Sequence, residues 1–64
     1  MDNEPLLQFF AFAHLPPPLA AVSGLFYKLA CEVVATLPRN AERTVALRKL
    51  LESKDCAVRA LIAK

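Results

Sequence analysis

The segment from Leu37 to Lys64 constrains the fold more than any other part of this sequence. Its apolar residues recur at steps of three and four with charged residues between them, which is typical of an amphipathic helix rather than a strand. Pro38 ends the preceding element, Asn40 is a good N-cap, and neither glycine nor proline follows. The pattern therefore predicts a helix over residues 40–63, with a length of about 35 Å at roughly 1.5 Å per residue.

Two further helices are predicted before this one. Apolar residues at helical spacing predict a helix over residues 17–37, and only Pro38–Asn40 separate it from the last helix. So short a connection makes the two helices antiparallel neighbours, an αα-hairpin. Residues 1–13 carry Pro5 near a first turn and predict a short N-terminal helix, which the HLPPP run ends at a rigid proline corner. The predicted fold class is all-α.

The content of apolar residues predicts that several copies of the chain associate. A chain of 64 residues forms a single helical-hairpin domain over residues 1–64, and a domain this small leaves much apolar surface in water when it folds alone. Apolar residues make up 56% of the sequence, which is more than two or three helices bury within one copy. We therefore expect a homo-oligomer.

Charge and patterning limit the partners of the protein. The net charge of +2 is well short of the positive field of a duplex-binding module, so we expect no DNA or RNA polymer as a partner. The N-terminus opens with acidic residues instead of lysines, and no signal peptide is expected. The apolar runs are broken too often to predict a bilayer span, so we expect a cytoplasmic protein and no membrane partner.

No arrangement of residues predicts catalysis or metal binding. The sequence has one histidine, no glycine-rich phosphate loop, no nucleophile elbow and no carboxylates at metal-ligand spacing. Cys31 and Cys56 have only His14 as an imidazole partner, which leaves a zinc site short of ligands. The hairpin register places the two cysteines on different turns, so a bridge between them is not expected. We expect a protein that is not an enzyme and needs no cofactor.

Four residues around the proline corner and the second helix are candidates for binding an aromatic ligand. Phe12 either plugs the end of a helical bundle or the seam between chains, or it is a flat floor for a stacked base. His14 is either a corner residue bonded to a carbonyl or a donor into a pocket. Tyr27 and Lys28 are either a solvated face or the pair that a phosphate-bearing aromatic ligand requires. They lie roughly 15 Å along the helix from the corner, so sharing a pocket with His14 is easiest across a boundary between chains. Gly24, the only glycine, is interpreted as permitting close approach of a helix or ligand.

The last helix offers a second candidate site. Arg39 and Arg43 lie at its N-terminus, where Glu42 is the only acid nearby in sequence, and they are either a solvated turn or a phosphate site. Further along, alternate steps of three and four predict a coiled-coil-like seam in which Lys54 is the polar interruption. The seam consists of Thr44, Leu47, Leu51, Lys54, Val58 and Leu61.

Three stretches carry a resemblance to a known family. QFFAFAHLPPPL, SGLFYKLA and TLPRNAERTVALRKLLESKDCAVRA together resemble small bacteriophage proteins, the anti-CBASS cyclic-oligonucleotide sponges that share a helical-hairpin domain with the anti-Thoeris sponges. The resemblance covers roughly residues 8–61, and the HLPP corner and the last stretch are its most specific parts. It implies a hexameric assembly in the cytoplasm of the infected host. The assembly would bind cyclic dinucleotides, and in some members cyclic trinucleotides, between protomers without breaking a bond.

The resemblance also implies roles for individual residues. In the family an aromatic residue before the HLPP corner stacks on the base and a lysine on the following helix meets the phosphate, and the matching positions are Phe12 and Lys28. The family commonly carries tyrosine where this chain has Phe12, so stacking is kept and a hydroxyl is lost. Pro18 stands where a polar residue is expected. Arg39, Arg43 and Thr44 are the candidates for a second, trinucleotide-type site or for further phosphate contacts.

Two other functions remain compatible with the sequence. One is a structural or protein-interaction module, in which the apolar face of the hairpin docks another protein. The other is binding of single-stranded nucleic acid through Phe12, Tyr27 and the arginines, which the modest net charge disfavours.

Overall fold

A computed structural model describes residues 4–63, and within that range the protein is all-helical. A 3-10 helix over Pro5–Phe10 is followed by α1 over Pro17–Thr36 and α2 over Ala41–Ile62. The two α-helices pack against each other, and the N-terminal segment packs against both. The short connection after Thr36 turns the chain back on itself, so the described residues form an elongated hairpin measuring 38 × 19 × 15 Å. The all-α prediction is confirmed.

Both long helices begin and end within one residue of the predicted positions. The Asn40 side chain accepts a hydrogen bond from the Arg43 backbone N–H at 2.9 Å, which confirms Asn40 as the N-cap of α2. Glu42 lies in the first turn, where the helix dipole favours a carboxylate. At the start of α1, Pro17 occupies the first helical position, where a missing N–H costs nothing. Local sequence signals therefore determine these boundaries. Lys64 lies outside the described residues.

The N-terminal helix is shorter than the predicted one over residues 1–13. Its first three positions lie outside the described residues, and the observed element is the 3-10 helix Pro5–Phe10. Glu4 caps it by accepting a hydrogen bond from the Leu6 N–H at 3.3 Å, and the chain leaves the helix at Ala11 in an extended conformation. A segment of this length does not sustain an α-helix by propensity alone, and 3-10 geometry is common in such short pieces.

The buried core is small and draws on all three helices. Phe10 of the 3-10 helix, Ala30 and Val34 of α1 and Leu47 of α2 are each at most 4% exposed. Further apolar side chains are partly buried against them. They are Leu6, Leu7, Phe26, Val33, Leu50 and Leu51. Phe10 is thus the anchor that holds the N-terminal segment on the hairpin, because it is the residue of that segment that is fully enclosed among apolar neighbours.

A large part of α1 exposes apolar side chains in the single chain. Leu25 and Leu29, one turn apart, are 70% and 50% exposed. By length and composition α1 qualifies as a membrane span, and 17% of that stretch is buried. The expectation that the apolar runs are broken too often to span a bilayer stays a prediction, because this test considers length and composition only. The core helix of a soluble protein meets the same test. An exposed apolar face of this kind is typical of a surface that is covered in the functional state.

Candidate functional site

An aromatic groove of about 380 Å³ lies where the chain between the 3-10 helix and the proline corner passes α1. It is lined by residues 11–14 and by Tyr27. Three of the sequence-predicted site residues therefore meet in one place: Phe12, His14 and Tyr27. We call this the aromatic groove.

The floor of the aromatic groove is a pair of rings. The centroids of Phe12 and Tyr27 are 5.4 Å apart and the ring planes are inclined by 51°, an arrangement that the quadrupoles of two aromatic rings favour. The Phe12 ring also lies over Gly24. A methyl group added at Gly24 would be 3.5 Å from two Phe12 ring carbons, which is ordinary van der Waals contact. What approaches Gly24 in this structure is therefore a ring of the same chain, and the contact leaves room for a methyl group.

His14 and Tyr27 share the aromatic groove within a single chain, which corrects the expectation that this is easiest across a boundary between chains. The distance along α1 from the proline corner to Tyr27 was the basis of that expectation. The chain before the corner folds back along α1, so Phe12 reaches Gly24 and Tyr27 in the middle of the helix. Because this segment folds back, His14 and Tyr27 line the same groove although they are far apart along the helix axis.

The Tyr27 hydroxyl is coupled to a cysteine one turn further along α1. Hydrogen bonding to the Cys31 side chain raises the pKa of Tyr27 above its usual value of 10.0, and the charge of the Cys31 thiolate and partial desolvation act in the same direction. Tyr27 therefore enters the aromatic groove as a neutral phenol whose hydroxyl hydrogen-bonds the Cys31 side chain and keeps its oxygen as an acceptor.

Lys28 lies beside the aromatic groove rather than in it. Its side chain is exposed, and consecutive residues of a helix point in different directions, so it diverges from Tyr27. Among the described residues, those that line the groove include neither lysine nor arginine. Within one chain the groove supplies flat surfaces and the His14 ring, and a phosphate charge would need a cation from beyond its walls.

Arg43 is built into the interior of the fold. Its side chain is 1% exposed, and its Nη2 donates to Glu4 Oε1 at 3.0 Å in an ion pair with a carboxylate that is itself 5% exposed. Its Nη1 donates to the carbonyl oxygens of Val34 at 3.3 Å and Leu37 at 3.2 Å. The guanidinium thus satisfies carbonyls at the C-terminal end of α1, which the helix leaves without partners, and ties the N-terminal segment to both helices.

The other two residues of the predicted second site remain at the surface. Arg39 is exposed in the connection between the helices, and Thr44 is half-buried in the first turn of α2. The Thr44 hydroxyl donates to the Asn40 carbonyl at 3.3 Å, which is a local helical contact. Because the Arg43 side chain points inward, the three residues do not form one cluster in the single chain.

Sequence reasoning missed Glu4 as the partner of Arg43 and took Glu42 to be the only acid nearby. The two partners are 39 positions apart, so no local pattern connects them. The one available signal was an acidic residue immediately before the apolar run that starts at Leu6. Such an acid needs a partner if the run is buried, because a buried carboxylate without one is costly.

The part of the chain that the structure describes contains neither a group of metal-binding side chains nor a disulfide bond. Within residues 4–63, no three histidine, cysteine, aspartate or glutamate side chains come together as a metal site. Cys31 and Cys56 are both free, with Cys31 half-buried and Cys56 exposed. The residues that line the aromatic groove offer flat ring faces and hydrogen-bonding groups.

Comparison with known proteins identifies no relative of this chain. No protein-family model, no curated protein and no solved structure matches the chain.

Proposed function

We propose that this protein is a bacteriophage anti-defence protein that binds and sequesters cyclic dinucleotide second messengers of bacterial immunity, and also cyclic trinucleotides, without cleaving them. The observation that carries the proposal is the aromatic groove, in which Phe12, His14 and Tyr27 come together. The family resemblance of the surrounding sequence motifs implies the same ligand class. A protein that only sequesters its ligand needs affinity and no catalytic group.

The groove has the chemistry that a base requires. Aromatic side chains hold unpaired bases by stacking, and every base presents a flat face to them. The groove volume of about 380 Å³ lies in the range of small-molecule sites. The Tyr27 oxygen can accept a hydrogen bond from the base edge or the sugar, and the ring nitrogens of His14 can hydrogen-bond the same groups. One aromatic groove therefore binds one base of the ligand.

A second copy of the chain supplies the contacts to the second half of the ligand. A cyclic dinucleotide carries two bases and two phosphates, and a two-fold interface between copies provides each contact twice. Lys28 is exposed next to Tyr27 and can meet a phosphate at such an interface. The exposed Leu25 and Leu29 give copies of α1 an apolar surface to bury. The proposed assembly is a homo-oligomer, a hexamer, in the cytoplasm of the infected bacterial host.

A second, trinucleotide-type site draws on Arg39 and Thr44 at the start of α2. Both are accessible in the single chain, and an anion there is favoured by the N-terminus of α2. The Arg43 side chain, which the sequence predicts for this site, instead stabilises the turn from the interior, because its guanidinium pairs with Glu4 and donates to two carbonyls.

Thermal unfolding in the presence of cyclic nucleotides tests the proposal. A ligand at 100 times its Kd that binds only the folded state adds about 2.7 kcal/mol, which is roughly 10–20 °C in Tm for a domain of this size. We expect such a rise with a cyclic dinucleotide such as cyclic GMP-AMP. The absence of any rise across a panel of cyclic di- and trinucleotides at millimolar concentration would refute the proposal.

Lys28→Ala locates the phosphate contact. Loss of one hydrogen bond between charged partners should weaken cyclic dinucleotide binding about 10-fold or more while the mass of the assembly stays the same. Lys49→Ala removes an exposed lysine of α2 whose ion pair with Glu52 spans 3.9 Å at the surface, and it should leave affinity unchanged. Isothermal titration and light scattering measure the two quantities. Equal affinity of the two variants for the cyclic dinucleotide would show that Lys28 does not contact the phosphate.

The alternative is a helical-hairpin interaction or structural module without a small-molecule ligand. The observation that favours it is the same exposed face of α1, since Leu25 and Leu29 could pack on a different protein. Mass spectrometry of the purified assembly separates the two. A cyclic nucleotide released by denaturation supports sequestration, whereas a stoichiometric partner protein and no nucleotide support the module.

A further inference from the structure

A second cavity, of about 420 Å³, lies between the N-terminal segment, α1 and α2. Phe9 and Leu15 line it from the N-terminal segment, Ser23 from α1, and Val58 from α2. It shares Ala11 and His14 with the aromatic groove and is otherwise built from different residues. None of the residues named above for nucleotide binding except His14 contributes to it.

The charges at this cavity do not balance. Lys54, Asp55 and Arg59 line it, which gives two cations and one carboxylate. The Lys54 ammonium is 3.0 Å from Asp55 Oδ1, and its side chain is 14% exposed, so this cation is largely removed from water. Arg59 donates to Cys56 Sγ at 3.3 Å, a weak acceptor, and no carboxylate of the described residues pairs with it. The cavity therefore carries one positive charge in excess.

Ser23 is a second, independent polar feature of this cavity. The residue is fully buried, and within the described residues its Oγ has no hydrogen-bond partner. A buried hydroxyl without a partner is unfavourable, and most such groups in folded proteins are hydrogen-bonded to protein or to ordered water. Ser23 lines the cavity, and rotation about its single side-chain torsion can turn the hydroxyl toward an occupant.

We propose that this cavity binds a small organic monoanion, a carboxylate attached to an apolar body. The carboxylate pairs with Arg59 and Lys54, and the apolar body lies against Phe9, Leu15 and Val58. A guanidinium favours the planar geometry of a carboxylate. A single excess charge matches a carboxylate better than a phosphate monoester, which carries roughly −1.5 to −2 near neutral pH.

Titration of the whole chain with benzoate, followed by NMR amide spectra, tests the proposal. We expect saturable shifts at His14 and at residues 54–59, with a Kd on the order of millimolar for so small a ligand. Benzyl alcohol keeps the ring and removes the charge, and it should bind at least about 10-fold more weakly. Phenyl phosphate should not bind more tightly than benzoate. Unsaturable shifts, equal binding of benzyl alcohol, or tighter binding of phenyl phosphate would each overturn the assignment.

A pair of variants separates binding from folding. Arg59→Gln should weaken benzoate binding about 10-fold, whereas Arg48→Gln, an exposed arginine of α2 that does not line the cavity, should leave it unchanged. Amide spectra without ligand show that both variants keep the fold. Equal affinity in the two variants would overturn the role of Arg59. Because no cyclic nucleotide is used, the outcome is independent of the function proposed above.

Discussion

Replacing Glu4 by leucine tests the idea that one buried ion pair ties the N-terminal segment to the hairpin. The Glu4 and Arg43 side chains are 5% and 1% exposed, so removal of either partner leaves a charge in the interior. Breaking such a pair costs about 3–5 kcal/mol. A chain of 64 residues at roughly 0.05–0.15 kcal/mol per residue has only about 3–10 kcal/mol in total. Glu4→Leu should therefore remove a large part of the stability.

The two single variants should differ in a direction that the structure determines. In Glu4→Leu the guanidinium keeps its bonds to the Val34 and Leu37 carbonyls, so the loss should lie near 3 kcal/mol, or at least about 12 °C in Tm. Arg43→Met also frees those two carbonyls and should cost closer to 5 kcal/mol. The double variant leaves neither charge buried, so its cost should fall short of the sum by about 2–3 kcal/mol.

Urea unfolding followed by far-ultraviolet circular dichroism measures these differences, at one fixed protein concentration because association adds to stability. Lys49→Met is the matched control, since the Lys49 and Glu52 side chains are 73% and 68% exposed and their pair should contribute less than about 0.5 kcal/mol. If Glu4→Leu cost no more than Lys49→Met, or if the two single costs simply added, the argument from burial would be refuted.

Two further predictions concern the aromatic groove. Gly24→Ala should raise the free energy of unfolding in urea by about 0.5–1 kcal/mol, because alanine has the higher helix propensity and its methyl group would lie at van der Waals distance from Phe12. A lower free energy of unfolding would show that something other than Phe12 packs on Gly24. Cys31→Ala should lower the pKa of Tyr27 toward 10.0, which the near-ultraviolet absorbance reads directly because the chain has one tyrosine and no tryptophan. A raised pKa means that the folded state holds the proton, so any stability from this contact is complete below pH 10.0 and declines as the pH rises above it. An unchanged titration curve would exclude Cys31 as the cause.

Local signals in the sequence determined the hairpin. Pro38 and Asn40 mark the end of one helix and the start of the next, and the apolar spacing on either side has the period of a helix over more than five turns. The connection is too short for any arrangement other than close antiparallel neighbours. These features depend on residues within a few positions of one another, so they can be predicted without knowing what packs where.

Tertiary structure decided what the individual side chains do. Arg43 fits the pattern of an anion site at a helix N-terminus, but it lies in the interior because it pairs with the distant Glu4 and donates to the Val34 and Leu37 carbonyls. Phe12 reaches Tyr27 because the non-helical segment before the proline corner folds back along α1, a path that no periodicity encodes. The cavity around Ser23 likewise depends on how three elements meet. Helix boundaries follow from short-range preferences, whereas burial and pairing follow from contacts between residues far apart in the chain, and those contacts exist only once it has folded.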